Sequence, residues 1–250
     1  MLLTTATSLC YESLLTLVYP QSCAVCGGSV ESRVLGAACE NCWQRTSLFF
    51  ADQVLCWKCG APSAGLVSPD EPEAVSCHRC DPDAFTAARA CGAYEGALRA
   101  SVLLLKHQPQ ICPRLLDNLV RISKTTPLDR ATLIVPVPLH PEREHARGFN
   151  QAALISRELS RAVSLPVNEL SLVRSKHVKH HRAGMDAKGR RDTVANAFQV
   201  VRPTLLNGER VLLVDDVFTT GATVSACAEL LRSAGATEVY VLTIARAVHF

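Results

Sequence analysis

The chain has 250 residues, of which 48% are hydrophobic and 20% are charged, and its formal net charge is +3. This composition excludes a disordered tail and a bundle of membrane helices, and the length suits one large α/β domain or two smaller ones. The net charge is too small to indicate nucleic-acid binding by itself. Twelve cysteines are an unusual number for such a chain and require an explanation.

The first twenty residues are a poor secretion signal, because they begin without Lys or Arg and contain Glu12. No stretch reaches the roughly 18 apolar residues that span a bilayer, so we expect no membrane insertion. We therefore expect a cytoplasmic protein with reduced thiols, in which paired cysteines favour metal binding over disulfides. Leu14–Val18 suits a short helix that ends at Pro20.

Eight cysteines form four Cys-x-x-Cys pairs: Cys23/Cys26, Cys39/Cys42, Cys56/Cys59 and Cys77/Cys80. This spacing lets one tight turn direct two sulfurs to a metal about 2.3 Å away, and two such turns complete a tetrahedral zinc site. The pattern predicts two structural zinc sites. Sequential pairing is favoured, although three pairings of the four turns are open. Because all ligands are thiolates, no coordination position is left for a catalytic water.

An alternative role for this region is docking to a protein or DNA partner. Residues 1–80 carry four Lys and Arg against seven Asp and Glu, which disfavours DNA. The remaining cysteines lack a partner at metal spacing, and we expect them to be small core residues: Cys10, Cys91, Cys112 and Cys227.

The composition changes near residue 80, since residues 81–250 carry 22 Lys and Arg against 16 Asp and Glu. This change predicts two modules, a zinc-binding one at 1–85 and a larger one at 86–250. In the larger module, the patterns predict strands at Thr132–Val137, Val211–Val214 and Val239–Ile244. They also predict helices at Ala152–Val163 and Ala222–Ser233, and a helix or strand at Val102–Leu105.

The most informative segment is the end of the strand at Val211–Val214. Asp215 and Asp216 follow it at the carboxyl edge of the predicted sheet, where ligands bind in open α/β proteins. A loop then leads into the next helix: Thr219, Thr220, Gly221, Ala222 and Thr223. Backbone N–H groups at a helix N-terminus bind phosphate, and carboxylates bind sugar hydroxyls or Mg²⁺. Together these groups fit a ribose 5-phosphate.

Two rival interpretations of this segment are weak. A simple strand-to-helix turn with a threonine cap explains one Asp and one Thr, but not the full run. An ATPase with a strand ending in two aspartates requires G-x-x-x-x-G-K-[ST] upstream, which the chain lacks, and a G-x-G-x-x-G dinucleotide fingerprint is also missing.

Val211–Thr223 resembles the 5-phosphoribosyl 1-diphosphate (PRPP) motif of type I phosphoribosyltransferases. The order of motifs along the chain resembles the ComF/GntX family of bacterial competence-related proteins: paired cysteines, Tyr94–Gly96, Val135–Pro138, Arg147–Gln151 and the phosphate loop. The resemblance implies an α/β fold with the parallel sheet of a type I phosphoribosyltransferase and a small N-terminal zinc-ribbon module. It also implies PRPP binding with Mg²⁺ and a link to DNA uptake.

The same resemblance places Arg147, Gly148, Asn150 and Gln151 on the diphosphate side of the site, within a loop predicted at His140–Gln151. The alternative for Arg147 is pairing on the surface. Lys106 and His107 are weaker candidates for substrate contact, since a cation at a helix end is equally expected there.

Glu169–Val173 is a candidate third strand, and the segment 175–192 after it is rich in Lys, His and Arg and poor in apolar residues. In type I phosphoribosyltransferases a flexible loop at the equivalent position closes over PRPP and excludes water. Its candidates for neutralising the diphosphate are Lys176, Lys179, Arg182, Arg190 and Arg191. A solvated basic loop and a nucleic-acid surface are the alternatives, although the latter lacks aromatic residues for base stacking.

The sequence therefore predicts a PRPP-binding phosphoribosyltransferase-like protein. It would transfer a phosphoribosyl group to an unidentified acceptor with release of diphosphate. No residue stands out as a general base. The first alternative is a non-catalytic PRPP sensor or DNA-processing accessory protein that docks through its zinc module. A purely nucleic-acid-binding zinc protein is the second, and it leaves Asp215 and Asp216 unexplained.

Overall fold

A computed structural model describes residues 21–49, 55–63, 75–174 and 197–248. The predicted helix at Leu14–Val18, Cys10 and the basic segment 175–192 lie outside these residues. The strands are β1 (Ala87–Ala90), β2 (Leu133–Pro136), β3 (Leu172–Arg174), β4 (Phe198–Val200), β5 (Arg210–Phe218) and β6 (Glu238–Arg246). The α-helices are α1 (Glu40–Gln44), α2 (Gly96–Leu104), α3 (Pro113–Ser123), α4 (Pro141–Arg147), α5 (Gln151–Val163) and α6 (Ala222–Ser233).

Four strands form a parallel sheet in the order β1-β6-β5-β2. The two central strands, β5 and β6, are nine residues long, and Asp215 of β5 lies beside Thr243 of β6. Val211–Val214 is buried along its whole length, as expected for an apolar run covered on both faces of a sheet. The predicted parallel α/β fold is confirmed.

One face of the sheet packs against three helices and three cysteines of the first two Cys-x-x-Cys pairs. Leu212 and Val214 of β5 share a core with residues of α2, α3 and α5 and with Cys23, Cys39 and Cys42. Burial of each large aliphatic side chain here stabilises the fold by about 1.5–3 kcal/mol.

The opposite face packs against α6, β3, β4 and the second four cysteines. Val211 and Leu213 of β5 share this core with residues of α6 and with Cys56, Cys59 and Cys80. Side chains of a strand point alternately to the two faces, so neighbours in β5 belong to cores that contain different sets of cysteines. The boundary predicted at residue 85 lies just before β1, and the division into two modules stays a prediction.

The predicted third strand does not join this sheet. β3 begins at Leu172, later than predicted, and pairs antiparallel with β4 in a separate two-stranded sheet. The delay has a local cause, because the Asn168 side-chain oxygen accepts hydrogen bonds from the N–H groups of Leu170 and Ser171, at 3.1 and 3.0 Å. Such an Asx turn keeps these residues out of the strand.

The predicted loop at His140–Gln151 is wrong in one respect, since most of it forms the short helix α4. The local signals are those of a helix. Pro141 occupies the first position, and the His140 side chain accepts a hydrogen bond from the Glu142 N–H at 3.2 Å. Gly148 ends the helix with a left-handed φ of 81°.

Candidate functional site

The carboxyl end of β5 carries the two aspartates. The strand continues beyond its predicted end at Val214 to Phe218. Asp215 and Asp216 therefore lie within its last four residues rather than after it. Both are partly buried. One Asp215 carboxylate oxygen accepts a hydrogen bond from the Asp216 backbone N–H at 2.9 Å. This bond holds the first carboxylate at the edge of the sheet.

Burial and, to a smaller extent, the neighbouring charge of Asp216 together raise the pKa of Asp215 to about 8, whereas Arg174 acts in the opposite direction. Two adjacent carboxylates in a partly buried position resist simultaneous ionisation. A bound cation, or hydroxyl groups that donate hydrogen bonds, would relieve this repulsion. The pair is therefore suited to a diol or to Mg²⁺.

The phosphate loop, Thr219–Thr223, follows directly and leads into α6. Thr219 and Thr220 are exposed, and Gly221 precedes the helix with a left-handed φ of 81°. The Gly221 carbonyl accepts the first helical hydrogen bond, from the Ser225 N–H at 2.8 Å. This helix has 12 residues, and the N–H groups of the first turn of a helix are the donor set that binds phosphate at helix N-termini.

Beside this loop, a cleft of about 420 Å³ opens at the carboxyl end of β2. The two strand ends are adjacent, because the Val137 N–H donates to the Val214 carbonyl at 2.9 Å. Gly148 and Asn150 line the cleft, whereas Arg147 is not among its lining residues. Asp215, Asp216 and the phosphate loop also lie outside its lining. The structure thus places two neighbouring features along one edge of the sheet.

Asn150 and Gln151 have structural surroundings that the sequence did not indicate. The Asn150 side chain caps α5, accepting from the Ala152 N–H and donating to the Val137 carbonyl, both at 3.0 Å. Gln151 is buried, and its side-chain nitrogen has no hydrogen-bond partner among the described residues. Lys106 and His107 lie in the turn after α2.

Arg174 is a candidate site residue that the sequence did not single out. It lines the cleft, its guanidinium lies 5.2 Å from the centre of the Phe198 ring, and its charge acts on Asp215. Its Nε is buried without a hydrogen-bond partner in the described part of the chain. A buried unpartnered donor is costly, which suggests an anionic ligand. The only sequence signal was its position at the end of a strand.

A second arginine of the cleft differs in its surroundings. Arg157 forms two hydrogen bonds of 2.6 Å with the carboxylate of Glu169. The charge of Arg157 is therefore already paired with Glu169. Of the two arginines that line the cleft, Arg174 is the one whose guanidinium has an unpartnered donor among the described residues.

The basic candidates of the predicted flexible loop lie outside the described residues: Lys176, Lys179, Arg182, Arg190 and Arg191. The structure describes the strands that flank this segment in the sequence: Arg174 of β3, which lines the cleft, pairs with Phe198 of β4.

The eight paired cysteines form two clusters, with the sequential pairing favoured from the sequence. The first cluster is Cys23, Cys26, Cys39 and Cys42, and the second is Cys56, Cys59, Cys77 and Cys80. Four sulfurs around zinc at about 2.3 Å stand about 3.8 Å apart. The measured sulfur separations include 3.7 Å for Cys26–Cys39 and 3.5 Å for Cys59–Cys77. These distances fit tetrahedral zinc and exclude disulfide bonds.

Backbone N–H groups also favour the thiolate form of Cys23, which is the form that binds a metal. The Cys23 sulfur accepts hydrogen bonds from the N–H groups of Cys39 and Val25, at 3.3 and 3.4 Å. Burial opposes its ionisation, but the backbone hydrogen bonds outweigh burial and lower the pKa of Cys23 to about 6. Thiolates are the form that binds zinc. Cys91 and Cys227 are buried, as predicted, and Cys112 is partly buried.

No helix in the described part of the chain is long and apolar enough to cross a membrane.

Two family models match the chain on either side of β1. A double zinc ribbon domain matches residues 14–81, and a phosphoribosyl transferase domain matches residues 146–249. The first contains both cysteine clusters, and the second contains the aspartates and the phosphate loop.

Relatives match over both regions. The chain is 30% identical over 207 residues to the DNA utilization protein YhgH of Escherichia coli O157:H7, covering 78% of this chain and 85% of that protein. The chain belongs to the ComF family. Another member, competence protein F of Haemophilus influenzae, is 43% identical over 136 residues, covering 54% of this chain and 59% of that protein. The predicted ComF resemblance is confirmed.

Solved structures give a weaker likeness to the ComF-family chain. The Bacillus subtilis glutamine PRPP amidotransferase complexed with ADP and GMP shares 23% identity, with a TM-score of 0.37, over 54% of this chain and 28% of that one.

Proposed function

We propose that this ComF-family protein binds PRPP with Mg²⁺ and transfers its phosphoribosyl group to an acceptor, releasing diphosphate. One observation carries the proposal. Two carboxylates at the end of the central strand β5 are followed directly by a helix N-terminus suited to phosphate. Ribose hydroxyls and a 5-phosphate require these two groups side by side.

In this proposal Asp215 and Asp216 hold the ribose hydroxyls. Thr219, Thr220, Gly221, Ala222 and Thr223 hold the 5-phosphate. The diphosphate lies toward the cleft, near Gly148, Arg147 and Arg174. Magnesium would add a charge that binds the diphosphate oxygens beside the carboxylates.

The reaction breaks the bond between ribose C1 and the diphosphate oxygen, and the bonding electrons leave with the diphosphate. The acceptor forms the new bond to C1 and gives up a proton. Positive charge develops at C1, which water would intercept. The basic segment with Lys176, Lys179, Arg182, Arg190 and Arg191 is proposed to cover the site and neutralise the leaving group.

The zinc sites are proposed to be structural, because four thiolates leave no open position at the metal. Reduced thiols of this kind also support the proposed cytoplasmic location.

The names of the relatives favour a second candidate function. One relative is named for competence and another for DNA utilization. The pocket would then sense PRPP without turnover, and the protein would assist DNA handling, with the zinc module as its docking surface for a protein or DNA partner.

Calorimetric titration with PRPP and Mg²⁺ tests the central proposal. Each charged hydrogen bond contributes about 1.5–3 kcal/mol, so the double variant Asp215→Asn with Asp216→Asn should weaken binding by at least about 100-fold. The matched control is Asp117→Asn, an exposed position of α3, which should leave binding unchanged.

The same samples, incubated with purine and pyrimidine bases and amines, separate the two candidates. Diphosphate release with any acceptor supports transfer, whereas tight PRPP binding without release supports the sensor. Failure of the wild-type chain to bind PRPP would contradict both.

A further inference from the structure

The phosphate loop rests on a buried aromatic ring. Phe218, the last residue of β5, is 4% exposed and immediately precedes the loop. A methyl group on Gly221 would lie 2.8 Å from the Cζ atom of this ring. The position of the ring therefore determines how the loop approaches a phosphate.

Arg246 joins this ring to the second cysteine cluster. It ends β6 and lies beside Phe218 in the sheet register, with its guanidinium carbon 4.3 Å from the centre of the ring. Its Nη1 donates to the Cys59 carbonyl at 2.5 Å, and its Nη2 lies 3.5 Å from the Cys59 sulfur. One side chain thus contacts a zinc ligand and the support of the phosphate loop.

The residues that follow Cys80, the last ligand of the second cluster, connect this cluster to the phosphate loop a second time. The Asp83 N–H donates to the Cys80 carbonyl at 3.0 Å, and the Ala84 N–H donates to the Ser225 hydroxyl in the first turn of α6 at 3.0 Å. Phe85 then packs edge-on against Phe218, with ring centres 5.9 Å apart. The cluster and the loop are consequently connected from two directions.

Resting on the proposed function, we propose that Arg246 is a positioning residue that couples the second cysteine cluster to the phosphate loop. Zinc at this cluster fixes Cys59, Cys59 orients Arg246, and Arg246 holds the Phe218 ring beneath Gly221. Coupling between two sites is reciprocal in binding free energy, so a bound phosphate ester also strengthens zinc binding at the second cluster. We expect this gain in affinity to be measurable as slower zinc release.

The first cluster provides an internal comparison. It packs in the core on the opposite face of the sheet, with α2, α3 and α5. Zinc loss from this cluster is expected to be insensitive to a phosphate ester.

The test measures zinc release to the chromogenic chelator 4-(2-pyridylazo)resorcinol, with and without saturating ribose 5-phosphate. In the wild-type chain, one of two release phases should slow by about 5-fold or more, a typical size for coupling between sites. Cys26→Ser weakens the first cluster at its exposed ligand and should accelerate only the phase that ribose 5-phosphate leaves unchanged.

Arg246→Gln should abolish the slowing and weaken ribose 5-phosphate binding, measured by calorimetry, by about the same factor. Phe218→Leu keeps the contact between Arg246 and Cys59 but removes the ring, and it should abolish the slowing as well. Because the two variants change different side chains, a local folding defect in one of them would not explain the same result in both.

The matched control is Arg89→Gln. Arg89 donates to the Trp57 carbonyl at 2.7 Å and lies over the Trp57 ring, so it contacts the loop of the second cluster without joining it to Phe218. This variant should keep the slowing by ribose 5-phosphate. If ribose 5-phosphate slows zinc release equally in wild type, Arg246→Gln and Phe218→Leu, the proposed coupling is wrong, but the proposed function is unaffected. Absence of ribose 5-phosphate binding by the wild-type chain would overturn the proposed function and the coupling with it.

Discussion

At the scale of single residues, the central feature is the contrast between the carboxyl group of Asp215, which resists ionisation, and the guanidinium of Arg174, which has an unpartnered donor among the described residues. The pKa of Asp215 is raised to about 8, chiefly by burial and then by the charge of Asp216, while the charge of Arg174 acts in the opposite direction. The site therefore contains a carboxyl group that is costly to ionise and a cation whose Nε has no hydrogen-bond partner among the described residues. Both costs are removed by a ligand that brings hydroxyl groups or Mg²⁺ to Asp215 and an anion to Arg174.

The raised pKa of Asp215 predicts a pH dependence of stability. The folded chain binds this proton more tightly than the unfolded chain, whose Asp has a pKa of about 3.9. Between about pH 4 and pH 8 the folded state therefore holds more protons, and the free energy of unfolding falls as the pH rises. Asp215→Asn cannot ionise, so its stability advantage over wild type should grow with pH. Urea unfolding at pH 6 and at pH 8.5 measures this difference.

A stability difference that is constant between these two pH values would contradict the assignment. Asp117→Asn, on the exposed side of α3, is the control and should track the wild type.

Arg174 predicts a difference between two ligands. If it binds the diphosphate, Arg174→Gln should weaken PRPP by about 10- to 100-fold, the usual loss for a charged hydrogen bond. Ribose 5-phosphate lacks the diphosphate, so its affinity should change little. Calorimetry with both ligands makes the comparison. Arg157→Gln is the matched control, because the guanidinium of Arg157 is already paired with Glu169. Equal losses for both ligands would argue against a diphosphate contact.

At the scale of elements, the junction between β5 and α6 determines whether the phosphate loop forms. Gly221 combines a left-handed backbone with close contact to the Phe218 ring. Gly208 has a similar φ of 79°, but a methyl group there would meet nothing within 4 Å. Comparing alanine variants at the two glycines therefore separates the cost of a left-handed backbone from the cost of a steric collision.

Gly208→Ala should cost about 1 kcal/mol, the strain of a left-handed alanine. Gly221→Ala adds a collision at 2.8 Å and should cost roughly 1–3 kcal/mol more. Only Gly221→Ala should also weaken ribose 5-phosphate, since the loop must move away from the ring. Denaturant unfolding and calorimetry measure the two effects. Equal destabilisation by both variants would show that the Phe218 contact is unimportant.

At the scale of the whole molecule, the two cysteine clusters lie in the cores on opposite faces of one parallel sheet. Each cluster contributes cysteines to a core that also contains apolar side chains of β5 and β6. The zinc-ribbon region is therefore part of the packing of the sheet as well as a metal-binding region. Zinc binding should contribute directly to the stability of the larger region.

Metal analysis should find about two equivalents of zinc in the purified chain. Cys42→Ser and Cys80→Ser should each retain about one equivalent and lower the melting temperature, because each exposes a different face of the sheet. Cys112→Ser is the control, since Cys112 belongs to neither cluster. Clearly fewer than two equivalents in the wild type would contradict the two-site assignment.

Much of the site could be predicted from the sequence because its parts are local. A Cys-x-x-Cys turn, or an apolar strand followed by two aspartates and a glycine-containing loop, is encoded within a dozen residues. Short-range geometry is sufficient to interpret such segments. The same local signals, a proline after a capping residue and a glycine at the end, were present for α4 but were interpreted as a loop.

The sequence by itself determined the eight candidate zinc ligands, the parallel α/β fold and the run of aspartates and loop residues near the end of β5. Only the tertiary structure decided that the clusters occupy opposite faces of the sheet, that the charge of Arg174 acts on Asp215, and that Arg246 joins Cys59 to Phe218. These contacts join residues far apart along the chain. Their formation depends on strand order and on helix packing, which no short segment specifies.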